Sequence, residues 1–114
     1  MPCTDPRDVT CVEEAFDLTT TDVVVWELEL IRKAEELGLV IISPHAAQAA
    51  IDDSIPKAAI WRIVREGFPR SKDLSTQDDR QVGINFEGKR RGGRWFRAKV
   101  TWRVEYVIAT VHAL

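Results

Sequence analysis

Basic and aromatic residues are concentrated in the last quarter of the chain. Seven lysines and arginines lie within the fifteen positions 89–103, with three aromatic residues among them. Basic side chains neutralise phosphates, and aromatic faces stack on unpaired bases. The segment therefore predicts nucleic-acid contact through Lys89, Arg90, Arg91, Arg94, Trp95 and Arg103. The alternative is a cationic hairpin tip whose charge only keeps it soluble.

Side-chain alternation divides this segment if it is a strand, since neighbouring residues point to opposite faces. Arg97 and Lys99 then share a face with Trp95, where a ligand could reach them. The other face would carry Phe96, Val100 and Trp102, which we assign to the core.

His45 and His112 are the two histidines of the chain. Cleavage of RNA by its 2′-hydroxyl needs a base, an acid for the leaving 5′-oxygen, and cations for the phosphorane charge. Imidazole titrates near neutrality, so the two histidines could transfer the protons while Arg97 and Lys99 hold the phosphate. The alternative is one surface histidine on a helix and one near the chain end, with no shared site.

No cofactor or metal is expected. The chain has no Walker loop, glycine fingerprint, nucleophile elbow or CxxC pair, and two histidines without a carboxylate cluster are a poor metal-ligand set. Cys3 and Cys11 could close a small loop or bind metal in a dimer. We expect two reduced thiols of a cytoplasmic protein instead.

The length and charge of the chain limit the kinds of function that it could have. The 114 residues, 45% of them hydrophobic, suit one globular domain. No apolar run approaches the ~20 residues of a membrane helix, and the N-terminus does not resemble a signal peptide. Residues 1–64 hold 12 acidic and 5 basic side chains, whereas residues 65–114 hold 6 and 11. This asymmetry favours a polyanionic partner for the basic half, or simply a Lys/Arg-rich solvent face.

The helices are predicted in the first half, after an N-terminal arm over residues 1–20 that leads into one domain over residues 21–114. The spacing of Val23, Trp26, Leu30, Ala34 and Leu37 predicts an amphipathic helix over Asp22–Leu37. Ser43-Pro44 is typical of a helix start and predicts a second helix through Asp52. A third should run from Ile55-Pro56 to Gly67, with Ala59, Ile60, Ile63 and Val64 inside.

The strands are predicted in the second half. Alternation predicts strands over Gln81–Glu87, Trp95–Trp102 and Val104–His112, with a short apolar segment at Leu39–Ile42 and a loop over residues 70–80. The last strand is nearly all apolar and should be central. The fold class is therefore α+β, with N-terminal helices packed on a curled, mainly antiparallel sheet of three to four strands.

The chain resembles a known pattern in three places. These are Ser43-Pro44-His45-Ala46 through Ile55 to Gly67, the strand Arg94–Val100, and the ending Val107–His112. The pattern is that of the bacterial domain-of-unknown-function 4258 family, a relative of RelE-type toxins in a superfamily with barnase-like and colicin-like ribonucleases. The resemblance covers roughly the last 70 residues and implies a RelE/barnase-like fold. It adds Thr110 to a catalytic set with His45, Arg97, Lys99 and His112.

Two departures from the family pattern leave a second function open. Ala49 and Asp53 stand where the family has arginines. The chain is then either a metal-independent, toxin-type ribonuclease acting on single-stranded RNA, or a non-catalytic binding or adaptor protein on the same scaffold. A protein partner such as an antitoxin, or a homodimer, would fit either function, and no membrane is involved.

Overall fold

The computed structural model describes residues 5–74, 82–90, 92–102 and 105–114. The elements follow in the order α1 (Val9–Ala15), α2 (Val25–Glu36), β1 (Val40–Ile42), α3 (Pro44–Asp52), α4 (Lys57–Glu66), β2 (Phe68–Asp73), β3 (Gly83–Lys89), β4 (Trp95–Trp102) and β5 (Tyr106–Ala113). The predicted α+β class is confirmed. The predicted strand number is wrong, because five strands form the sheet rather than three to four.

The strands pair in the order β1-β5-β4-β3-β2, with β1 and β2 at the edges. The pairs β2–β3, β3–β4 and β4–β5 are antiparallel, while β1 runs parallel to β5. The last strand is therefore not the central one. Its apolar composition reflects its position between β4 and β1, with α3 packed against it.

The loop predicted over residues 70–80 is wrong at its start, since Phe68–Asp73 forms the edge strand β2. Its alternation is hidden in the sequence because the inward position is a lysine: Lys72 is buried and ion-paired with Glu27. The strand predicted at Gln81 begins at Gly83, and residues 75–81 lie outside the described residues.

Helices α3 and α4, which immediately precede β2, form where predicted. Ser43 caps α3 by accepting the backbone N–H of Ala46 at 3.0 Å. Helix α4 buries the four predicted residues Ala59, Ile60, Ile63 and Val64. Gly67 caps its C-terminal end, and a Cβ at this position would lie 2.3 Å from the carbonyl oxygen of Ile63, so a larger residue would clash with the backbone.

Helix α2 begins later than predicted, at Val25. Val24 precedes it in extended conformation, and the Glu27 carboxylate accepts the Val24 N–H at 3.0 Å. Leu30 and Ala34 are buried as predicted. Glu27 itself is also buried, which the periodicity did not predict.

All four described helices contribute to one core on one face of the sheet. The strands supply Ile84, Phe86, Phe96, Ala98, Val100, Trp102, Tyr106, Ile108 and Val111. The assignment of Phe96, Val100 and Trp102 to the core is thereby confirmed. The segment before residue 20 joins this core through Val12 and Phe16, and the centroids of the Phe16 and Trp102 rings lie 4.1 Å apart.

The N-terminal segment is also held by polar contacts. The Tyr106 hydroxyl donates a hydrogen bond to the carbonyl of Pro6. Burial, followed by the nearby Asp5 and Asp8, raises the pKa of Tyr106 to about 12. Cys11 is disulfide-bonded, so the expectation of a reduced thiol is wrong at this position. Cys3, the other cysteine of the sequence, lies outside the described residues.

Candidate functional site

The sheet face opposite the helices carries a continuous set of polar side chains, because residues alternate between the faces of each strand. We call it the polar face. It consists of Ser71 and Asp73 on β2, Asn85, Glu87 and Lys89 on β3, Trp95, Arg97, Lys99 and Thr101 on β4, and Thr110 and His112 on β5.

Three strands place a carboxylate, a guanidinium and an imidazole in one row. Arg97 lies directly opposite Glu87 on one side and His112 on the other. Such cross-strand neighbours have Cβ atoms about 4.5–5.5 Å apart. The Arg97 Nε donates to Glu87 Oε2 at 2.9 Å, and Arg97 Nη2 bonds the same oxygen. His112 is exposed, so the row is open to solvent at its β5 end.

A second row lies two residues further along β4, at Lys99. Lys99 lies opposite Asn85 and Thr110. Its ammonium does not point toward the first row but forms an ion pair with Asp73 Oδ2 at 2.9 Å. A Cβ on Gly83 would meet Lys99 Cε at 2.8 Å, which shows that the lysine side chain crosses β3 over this glycine. Lys99 is thus already neutralised.

The β3–β4 hairpin forms the third row, with Lys89 opposite Trp95. The Lys89 Nζ lies 5.4 Å from the centroid of the indole ring, within cation–π range. Arg94 is exposed beside it. Arg90 instead donates to the carbonyl of Asp53 and so attaches the hairpin to the end of α3. The predicted contacts Arg91 and Arg103 lie outside the described residues.

His45 lies on the first turn of α3 and is exposed. The start of this helix is fixed to β5, since Ser43 Oγ donates to the Ala109 carbonyl at 3.2 Å. Within the described residues, His45 forms no hydrogen bond or ion pair with Arg97 or His112. The structure therefore brings Arg97, Lys99, Thr110 and His112 together on the polar face and leaves His45 on a helix beside β5.

Glu87 and Asp73 are the residues that sequence reasoning missed. In the sequence, Glu87 is only the last residue of the alternating strand predicted over Gln81–Glu87. A signal existed in the short hairpin connection, because pairing Lys89 with Trp95 places Glu87 opposite Arg97. Asp73 had no such signal, since the strand that carries it was predicted as a loop.

The chain matches no protein-family model, no curated protein and no solved structure. In the described parts of the chain, no helix is long and apolar enough to span a bilayer. The same residues contain no group of three or more histidine, cysteine or acidic side chains that could hold a metal ion.

Proposed function

We propose that this protein binds single-stranded RNA and cleaves it without a metal ion, using Glu87, Arg97 and His112. The observation that supports the proposal is their common row: a base, a phosphate-binding cation and an acid lie on three adjacent strands of one face. These are the three groups that 2′-hydroxyl attack on a phosphodiester requires.

The order of the groups suits the reaction. Glu87 takes the proton of the 2′-hydroxyl as its oxygen attacks phosphorus, Arg97 stabilises the charge on the phosphorane oxygens, and His112 gives a proton to the departing 5′-oxygen. The products are a 2′,3′-cyclic phosphate and a free 5′-hydroxyl. In-line attack places base and acid on opposite sides of the phosphorus. Glu87 and His112 flank Arg97 in this way, with about 10 Å between the backbones of β3 and β5.

The base in this mechanism differs from the one suggested by the sequence. There, the two proton transfers were assigned to His45 and His112. We now assign the base to Glu87, because Glu87 lies directly opposite Arg97 in the first row, whereas His45 lies on helix α3. Lys99 and Thr110 then stand in the neighbouring row as contacts for the adjoining phosphate, once Lys99 is released from Asp73.

The test is a cleavage assay with labelled single-stranded RNA in EDTA. Glu87→Gln and His112→Ala should each lower the rate about 10²–10⁴-fold, as expected for loss of a general base or acid. His45→Ala is the matched control and should leave the rate unchanged. Each active-site variant should also lose one limb of the bell-shaped pH profile. Wild-type rates in both Glu87→Gln and His112→Ala would refute the assignment.

The second candidate is a non-catalytic binding or adaptor protein, favoured by a specific observation. The cations of the first two rows are already paired, Arg97 with Glu87 and Lys99 with Asp73. Their net attraction for phosphate is reduced accordingly. In this case the polar face would bind RNA through Lys89 and Arg94, which form no ion pair within the described residues, or it would bind an antitoxin-like protein or a second copy of the chain, in each case without turnover. Binding without cleavage by purified wild-type protein would support this candidate, as would normal host growth on induction.

The cytoplasmic location expected from the sequence stays a prediction. The disulfide at Cys11 argues against it, because disulfides persist mainly in oxidising compartments. Fractionating the native cells with alkylation of free thiols at lysis tests the location: recovery in the cytoplasmic fraction with Cys11 alkylated would support the cytoplasm, and recovery outside it with Cys11 oxidised would refute it.

A further inference from the structure

Trp95 is unusual among the aromatic residues of β4. Phe96 and Trp102 on the same strand are 1% and 2% exposed, whereas Trp95 is 46% exposed. Its indole is therefore not required to fill the core. It lies on the polar face two residues before Arg97, which corresponds to about 7 Å along the strand.

The charges around Trp95 differ from those in the first two rows. Lys89 and Arg94 form no ion pair within the described residues, in contrast to Arg97 and Lys99. The Lys89 ammonium occupies one side of the indole ring at 5.4 Å. The remaining exposed surface of the ring is free to contact a flat, electron-rich partner. The hairpin tip thus combines a stacking surface with two cations available to phosphates.

We infer that Trp95 binds an unpaired base of the nucleotide next to the phosphate held by Arg97, which makes single-stranded RNA the substrate class and excludes duplex. The position of the cleaved phosphate rests on the proposed function, whereas the stacking does not. A separation of about 7 Å lets one nucleotide place its base on Trp95 and its phosphate at Arg97. In a duplex both faces of each base are covered by its neighbours, so a paired base cannot stack on the ring.

The binding test uses a labelled 2′-O-methyl RNA oligomer, which 2′-hydroxyl attack cannot cleave. Trp95→Ala should weaken its binding about 5- to 150-fold, the range for loss of one stacked base. Trp95→Phe should retain most of the affinity. Val25→Ala is the control, because Val25 is also an exposed apolar residue, 71% exposed, but lies at the start of helix α2, on the other side of the sheet. An oligomer with abasic sites should bind wild type and Trp95→Ala equally.

The outcomes separate this inference from the proposed function. Equal affinity of wild type and Trp95→Ala for the single strand would overturn it, as would equal affinity of wild type for single strand and duplex. Absence of single-strand binding at low salt would also overturn it. Trp95-dependent binding without any cleavage of ordinary RNA would support the stacking site while refuting the catalytic proposal.

Discussion

Replacing Lys72 by methionine should destabilise the domain severely, because Lys72 is one half of a fully buried ion pair. Its side chain and that of Glu27 are both 0% exposed. The ammonium donates to Glu27 Oε1 and Oε2 at 2.9 Å each and to the Asp17 carbonyl at 2.6 Å. These bonds join β2, α2 and the segment before α2.

The expected cost follows from what remains after the substitution. Methionine has a similar volume, so little cavity forms, but the Glu27 carboxylate loses its only charged partner within the described residues. It keeps two backbone donors, the Val24 N–H and the Asp17 N–H, each at 3.0 Å. Removing one partner of a buried pair costs about 3–5 kcal/mol. That is a large part of the roughly 5–15 kcal/mol that stabilises a typical domain.

Urea denaturation of wild type and variant measures this loss. Lys33→Met is the matched control, since Lys33 and Glu36 form an exposed pair at 3.7 Å whose loss should cost about 0–0.5 kcal/mol. The double variant Lys72→Met with Glu27→Leu removes both charges but leaves the two backbone N–H groups without acceptors, at about 1–3 kcal/mol each. A Lys72→Met variant as stable as Lys33→Met would refute the reasoning.

Three further predictions concern other contacts. Tyr106 is the one tyrosine of the chain, and its raised pKa means that the folded state holds the phenol proton more tightly than the unfolded state. This stabilisation is complete below pH ~10 and is lost as the pH rises through about 12. Tyrosinate absorbance should titrate near pH ~10 in urea and at a higher pH in the folded protein. Identical titration midpoints in the two states would contradict the raised pKa of Tyr106. Gly83→Ala should cost about 1–3 kcal/mol in urea denaturation, because the new Cβ would lie 2.6 Å from the Val100 carbonyl oxygen and 2.8 Å from Lys99 Cε. Asp73→Asn should release Lys99, strengthen RNA binding and steepen its log–log salt dependence by about one unit; unchanged or weaker binding in a salt titration would exclude this role for Asp73.

The sequence was sufficient to predict those helices and strands whose burial follows local periodicity. The α4 helix and the β4 strand were predicted closely because their buried residues recur at 3.6 and 2 residues along the chain. Strand β2 was missed because its inward residue, Lys72, becomes compatible with the core only through Glu27, 45 positions earlier. No local pattern contains such a partner.

The candidate site was predictable to the extent that it depends on alternation within one strand. Trp95, Arg97 and Lys99 share a face because of the pleat alone. Glu87 and His112 join them through the register of two strand pairings, which the sequence does not state. His45 is a candidate in the sequence because imidazole can transfer protons near neutrality, but its position relative to the rows depends on how α3 packs on β5.

The distribution of charge on the polar face assigns different tasks to its rows. At the hairpin tip, Lys89 and Arg94 have no acidic partner within the described residues and would attract a polyanion over several ångströms. In the first row, the ion pair with Glu87 restricts the Arg97 side chain before any ligand arrives, so less order must be gained on binding. The Glu87→Gln variant tests whether that row performs chemistry or only binds. It removes the negative charge beside Arg97, so RNA affinity should rise in either case. Cleavage should fall only if Glu87 is the base, and a rise in affinity with no activity to lose would identify the face as a binding surface.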